Sequence, residues 1–233
     1  MKTLSVITLL VLVLSSSVTA SDCVILFHGL ARSDHSFSKM EKALKAQGYT
    51  VVNNTYPSTQ HDIETLTKDV IPASVSECPD STNIHFVTHS LGGILVRQFF
   101  HTDSLDHPGR VVMLAPPNKG SEITDRLKED WLYSAVNGPA GKQLGTDSLS
   151  LPATLGPADF DLGVIAGTKT VNPILSTMLP NPDDGKVSVE STRLEGMSDH
   201  IEIPVSHTFI MRNDEVIEQT IYFLGHGEFR RDE

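Results

Sequence analysis

Short, fully apolar runs alternate along this chain with amphipathic ones. Val24-Ile25-Leu26-Phe27 has no polar position, the pattern of a strand covered on both faces. Residues 37–47 place Phe37, Met40 and Leu44 at helical spacing, and Gly48 supplies a stop. The alternation recurs, with strands predicted over 49–52, 83–87, 111–115, 162–166 and 201–205. Helices are predicted over 63–75, where Pro72 kinks or shortens the run, and over 91–100 and 215–224. Such βα alternation predicts an α/β fold with a mostly parallel central sheet flanked by helices.

Residues 120–160 are less regular. A helix over 123–136 would carry the only tryptophan, Trp131, and 138–157 is rich in Gly, Pro, Ser and Thr, as loops are. This segment reads either as a small lid or as a surface connection. We expect a compact form with little or no lid. The chain contains no internal repeat and no low-complexity tract.

The first residues read as an export address. Lys2 gives a basic start, residues 4–14 are almost wholly apolar, and small residues lead to Ala20. We place a signal peptide over 1–20, cleaved after Ala20, with a retained anchor as the alternative. Asp22 stands where a lipid-attachment site would need a small residue before Cys23. Residues 21–233 then form one domain, periplasmic or secreted, with no stable membrane anchor.

Charge narrows the partners. With 18 Lys and Arg against 29 Asp and Glu, the formal net charge is −11. That argues against broad binding to nucleic acid or anionic membranes. Cys23 and Cys78 are disulfide candidates in an oxidising compartment, because both fall at or before the N-terminal ends of strands; two buried thiols are the alternative. Two cysteines without matched histidines are a poor zinc signal, and no metal is expected.

The chemistry concentrates at 84–93. An apolar strand runs into Thr88-His89-Ser90-Leu91-Gly92-Gly93, and a helical run follows. This is the layout of a nucleophile elbow, a strand-to-helix turn that projects a serine hydroxyl. Thr88 departs from the usual glycine of G-x-S-x-G, so it must be accommodated beside the helix.

With His28-Gly29, Asp184-Gly185-Lys186-Val187 and His207, in the order Ser, Asp, His, this stretch resembles the α/β-hydrolase superfamily, its small lipase and esterase branch above all. The resemblance covers essentially all of 21–233 in element order. It implies Ser90 as nucleophile and 27–30 as an oxyanion loop, with the Leu30 and Leu91 N–H groups as donors. Gly29 and Gly92 permit close approach, while His28 and His89 support the loop and the elbow without acting as bases. Asp184 looks like the acid, with Asp183 its immediate competitor. His207 is the base, because it follows the last predicted strand at its C-terminal end; His200 precedes that strand and His226 lies beyond the last helix.

The expected activity is hydrolysis of carboxylic esters through an acyl-enzyme, on a small-molecule or lipid ester, with no cofactor. A thioesterase, acyltransferase or amidase on the same triad, or an inactive hydrolase-like binding protein, stays open. The sequence gives no oligomeric state.

Overall fold

The computed structural model describes residues 22–80 and 82–231. The signal peptide assigned to 1–20 lies outside the described residues. Six strands form one sheet: β1 (Cys23–Phe27), β2 (Thr50–Asn53), β3 (Ile84–His89), β4 (Pro108–Leu114), β5 (Leu162–Gly167) and β6 (Asp199–Ile203). Every neighbouring pair is parallel, in the order β2-β1-β3-β4-β5-β6. The helices are α1 (Ser38–Ala46), α2 (Ile63–Val75), α3 (Leu91–Thr102), α4 (Glu122–Leu127), α5 (Trp131–Lys142), α6 (Leu151–Thr154), α7 (Pro173–Ser176), α8 (Val189–Thr192) and α9 (Asp214–His226).

The period of two along β1 builds both sides of the core. Cys23, Ile25 and Phe27 pack with Ile63, Leu66, Ile94 and Leu95 of α2 and α3. Val24 and Leu26 face the other way, into Met40, Leu44, Val216 and Phe223 of α1 and α9. Each of these side chains is worth about 1.5–3 kcal/mol when fully buried, so both helical layers are held by β1 and its neighbours. Helix α3 is buried from Leu91 to Phe99, and its one buried cation, Arg97, donates to the Asn118, Pro152 and Gly156 carbonyls.

Strand order fixes where a site can form. The chain leaves β1 for β2 on one side, then returns past β1 to place β3 on the other. The loops after β1 and β3 therefore diverge, and a crevice opens between their C-terminal ends.

At the opposite end Cys23 is bonded to Cys78, with Cα atoms 5.8 Å apart and a sequence separation of 55. Closing a loop of that length contributes about 4 kcal/mol in the chain-entropy account. The bridge ties the start of β1 to the segment entering β3, on the far side of the sheet from the crevice.

Three expectations about local structure need correction. The helix expected over 123–136 is two helices, α4 and α5, because Asp130 caps a new start by accepting from the Leu132 and Tyr133 N–H groups. The loop expected from 138 instead begins inside α5, which bends at Gly138 (φ 66°) and continues through Pro139 to Lys142. Strand β6 starts two residues earlier than the apolar run, since β5 pairs with Asp199 and His200 before Ile201.

Candidate active site

Ser90 follows β3 and sits at φ 52°, ψ −119°, immediately before the first turn of α3. Few non-glycine residues hold a positive φ, and turns at active sites are where such strain gathers. The positive end of the α3 dipole faces this position, and the first amides of α3 have no acceptor within the helix.

Gly92 makes the turn possible. A Cβ there would run into the Phe27 carbonyl oxygen and lie 2.9 Å from the Phe27 Cβ. We expect Gly92→Ala to lower stability by about 1–3 kcal/mol, read as a lower urea midpoint. A midpoint equal to that of the parent would show that α3 can draw back from β1 at no cost. Thr88 is fully buried, and the bare Gly93 gives it space: a Cβ on Gly93 would lie 3.3 Å from the Thr88 hydroxyl. That hydroxyl has no partner among the described residues.

The loop after β1 is held from below. The Tyr56 N–H donates to His28 Nε2 (3.2 Å), which leaves the ring proton on Nδ1, and Nδ1–H donates to the Gly29 carbonyl (2.8 Å). The Tyr56 ring stacks on His28 at 4.1 Å, and its hydroxyl donates to the His28 carbonyl at 2.5 Å. Burial pulls His28 below the usual histidine range, so the ring is a neutral strut. Ala31, at φ 53°, donates its N–H to Ser58 Oγ (3.0 Å). Between them Gly29 passes so close to the elbow that a Cβ would lie 2.6 Å from His89 Nδ1 and 3.3 Å from Ser90 Cβ.

The loops after β5 and β6 are bonded to each other twice. The His207 N–H donates to the Asp184 carbonyl (3.0 Å), and His207 Nδ1 meets Asp184 Oδ2 at 2.7 Å. Asp184 is itself held, since its Oδ1 accepts from the N–H groups of Lys186 (2.9 Å) and Val187 (2.8 Å). Asp183 turns elsewhere: its carboxylate accepts from Ser176 Oγ (2.6 Å) and the Gly185 N–H (2.7 Å).

His89 joins the two halves. Its Nε2 lies 3.1 Å from the His207 carbonyl, which can only accept, so Nε2 carries the proton. The His89 and His207 rings lie 4.6 Å apart. Burial, reinforced by His207, drives His89 well below its usual range, so it clamps the His207 loop as a neutral ring.

These residues enclose a cavity of about 400 Å³ whose wall includes Leu30, His89, Ser90 and His207. Its apolar side comes from Ile123, Leu127, Val136 and Leu144, so the irregular segment after β4 forms part of the wall. Among the described residues, no group of three or more His, Cys, Asp or Glu is placed to hold a metal ion. None of their helices is long and apolar enough to cross a membrane.

Neither a protein-family model nor a curated protein sequence matches the chain. Solved structures do match. The mature form of a lipase from Bacillus licheniformis superposes with a TM-score of 0.68 at 17% identity, over 88% of this chain and 92% of that one. A metagenomic carboxyl esterase gives 0.65 at 20% identity, over 82% of this chain and 66% of that one. The phospholipase PlaB of Legionella pneumophila gives 0.59 at 17% identity, over 74% of this chain and 46% of that one. The chain has the α/β-hydrolase fold.

Within this α/β-hydrolase sheet, several supports carry no sequence motif. Gly167 ends β5, and a Cβ there would lie 2.5 Å from the Val205 carbonyl oxygen and 2.8 Å from Asp184 Cβ. Tyr56 and Ser58 steady the loop after β1 from an ordinary connecting segment. Only Gly167, a glycine closing a buried strand, offered a signal of close approach.

The two competing histidines are placed differently from expectation. His226 is the last residue of α9, and its Nδ1 lies 2.8 Å from the Tyr222 carbonyl. His200 lies within β6, 3.0 Å from Thr192 Oγ1. Thr192 already donates to the Val189 carbonyl, so His200 Nε2 is the donor.

Burial holds His200 down to about 4, against 6.5 for a free histidine. Below pH 6.5 the unfolded chain therefore binds more protons than the folded one, and stability falls with pH until about pH 4. His28, His85 and His89, all lowered by burial, act in the same direction. Glutamine at 200 keeps a donor for Thr192 and removes one titration. His200→Gln is expected to lose less stability than the parent between pH 7 and 5 in urea unfolding. An equal loss would mean that His200 is protonated in the folded state.

Proposed function

We propose that this chain is an exported hydrolase of carboxylic esters, with Ser90 as nucleophile, His207 as general base and Asp184 as the group that orients His207. The observation that carries the reading is the 2.7 Å contact between the buried Asp184 carboxylate and His207 Nδ1, on an imidazole that shares a cavity wall with Ser90. A carboxylate on Nδ1 keeps that nitrogen protonated and leaves Nε2 free to take the serine proton.

In this reading Ser90 Oγ attacks the ester carbonyl as His207 Nε2 takes its proton. The Leu30 and Leu91 N–H groups receive the developing oxyanion. The amide of Leu91 opens α3, and that of Leu30 has no backbone acceptor among the described residues. Collapse expels the alcohol, protonated by His207, and leaves an acyl-enzyme. Water, deprotonated by the same imidazole, releases the acid. The apolar wall of Ile123, Leu127, Val136 and Leu144 suits an apolar acyl chain. Lipases, a carboxyl esterase and a phospholipase among the structural neighbours accord with this class. Export rests on residues 1–20 and accords with the Cys23–Cys78 bond.

A fluorophosphonate probe, together with p-nitrophenyl esters of increasing acyl length, tests the reading. Labelling at Ser90 with ester turnover supports it, and folded protein that neither labels nor turns over an ester overturns it.

A further inference from the structure

Two cations that the catalytic reading does not use line the same cavity, Arg32 on the loop after β1 and Lys186 on the loop after β5. Among the described residues neither side chain has an ion-pair partner, and the wall of this cavity carries no Asp or Glu beside them. Two cations and no carboxylate on one cavity wall stand out in a chain with 29 acidic residues against 18 basic ones. The buried Asp184 carboxylate attracts Lys186 but forms an ion pair with neither cation, because its oxygens are taken by two backbone N–H groups and by His207.

Both side chains stand on fixed backbone. Arg32 follows Ala31, whose N–H is bonded to Ser58. Lys186 is held from both sides, its N–H on Asp184 and its carbonyl accepting from Ser121 Oγ (3.2 Å). Partial desolvation at the cavity wall, and after it the charge of Arg32, pulls the solvent-reached Lys186 below the usual lysine range against the attraction of Asp184. Both residues stay exposed at the cavity mouth, and their mutual repulsion is offset when one anion meets the pair together.

We propose that Arg32 and Lys186 form a receptor for an anionic group, so that the site selects carboxylic esters that carry a negative charge beside an apolar acyl chain. This rests on the ester-hydrolase reading for its substrate, but the receptor can be tested without turnover. The shared chemistry is a carboxylate or phosphate oxyanion, and the two sources are separated by substrate pairs.

The decisive measurement is calorimetric binding of octyl phosphate and of octanol to the whole chain and to Arg32→Gln/Lys186→Gln. Octyl phosphate is expected to bind the parent more tightly than octanol does, and about tenfold more weakly to the double variant. Lys42→Gln/Lys68→Gln, which removes two exposed charges elsewhere, should leave the affinity unchanged. Equal binding of octyl phosphate to the parent and the double variant overturns the receptor. Turnover then identifies the anion, through the ratios of kcat/KM for mono-p-nitrophenyl glutarate over p-nitrophenyl butyrate and for dioctanoylphosphatidylglycerol over dioctanoylglycerol. A fall confined to the first ratio assigns a carboxylate, and one confined to the second assigns a phosphate. Two unchanged ratios overturn the role in selection. If no ester is cleaved while octyl phosphate binding still depends on the pair, the hydrolase reading fails and the receptor stands.

Discussion

Ser90→Ala is expected to lower kcat for ester cleavage by about a millionfold and to abolish fluorophosphonate labelling, with the fold intact. In the proposed mechanism the size follows from the loss of covalent catalysis: without Oγ no acyl-enzyme forms, and only the proposed oxyanion donors and the binding cavity continue to favour the reaction over water. The intact fold follows from what the hydroxyl does not do. It makes no capping hydrogen bond to α3, so its removal leaves no buried group unsatisfied. Alanine meets the same backbone demand as serine at φ 52°, so the strain of the turn is nearly unchanged. The unfolding midpoint should therefore stay within experimental error of the parent. Ester cleavage at the parental rate would remove Ser90 from the mechanism, whatever the geometry around it.

What could be read from the sequence was what a short segment dictates alone. Strand β1 is legible because each of its five residues is buried and none needs a polar partner. The turn at Ser90 is legible because glycine must follow where α3 crosses β1. Strand β4 was harder. It begins at Pro108-Gly109, residues that locally signal a turn, and they enter the sheet where the β3–β4 register shifts between Ile84 and Phe86. The break between α4 and α5 is hidden in the sequence because the apolar spacing runs on across it, while a single carboxylate, Asp130, decides the new start. Pairs of residues far apart in sequence were least legible. Gly167 makes room for Asp184, and Ser58 holds Ala31, yet neither partner marks the other in the sequence. The order of Ser, Asp and His in the sequence points to a pairing of Asp184 with His207. Choosing it over Asp183 needs the direction in which each carboxylate turns, which neighbouring residues of one type do not reveal.

Direction also decides the second large effect, Asp184→Asn, for which we expect kcat to fall by about ten-thousandfold at neutral pH with little loss of stability. The two oxygens of Asp184 have different duties. Oδ1 accepts from the Lys186 and Val187 N–H groups, and Oδ2 accepts from His207 Nδ1. An asparagine has one acceptor and one donor end. Two backbone donors fix the acceptor at the Oδ1 position, since an NH2 group there would face two N–H groups and satisfy neither. The amide NH2 must then face His207 and donate to Nδ1. The imidazole proton is forced onto Nε2, the nitrogen that receives the proton of Ser90 in the proposed mechanism, and the proposed general-base step is lost by tautomer rather than by displacement. The His207 N–H keeps its bond to the Asp184 carbonyl, a backbone group that the substitution leaves in place. Nuclear magnetic resonance of the ring nitrogens should show protonated Nδ1 in the parent and protonated Nε2 in the variant. A variant that keeps Nδ1 protonated and turns over esters at the parental rate would show that Asp184 only braces its loop, and that some other group orients His207.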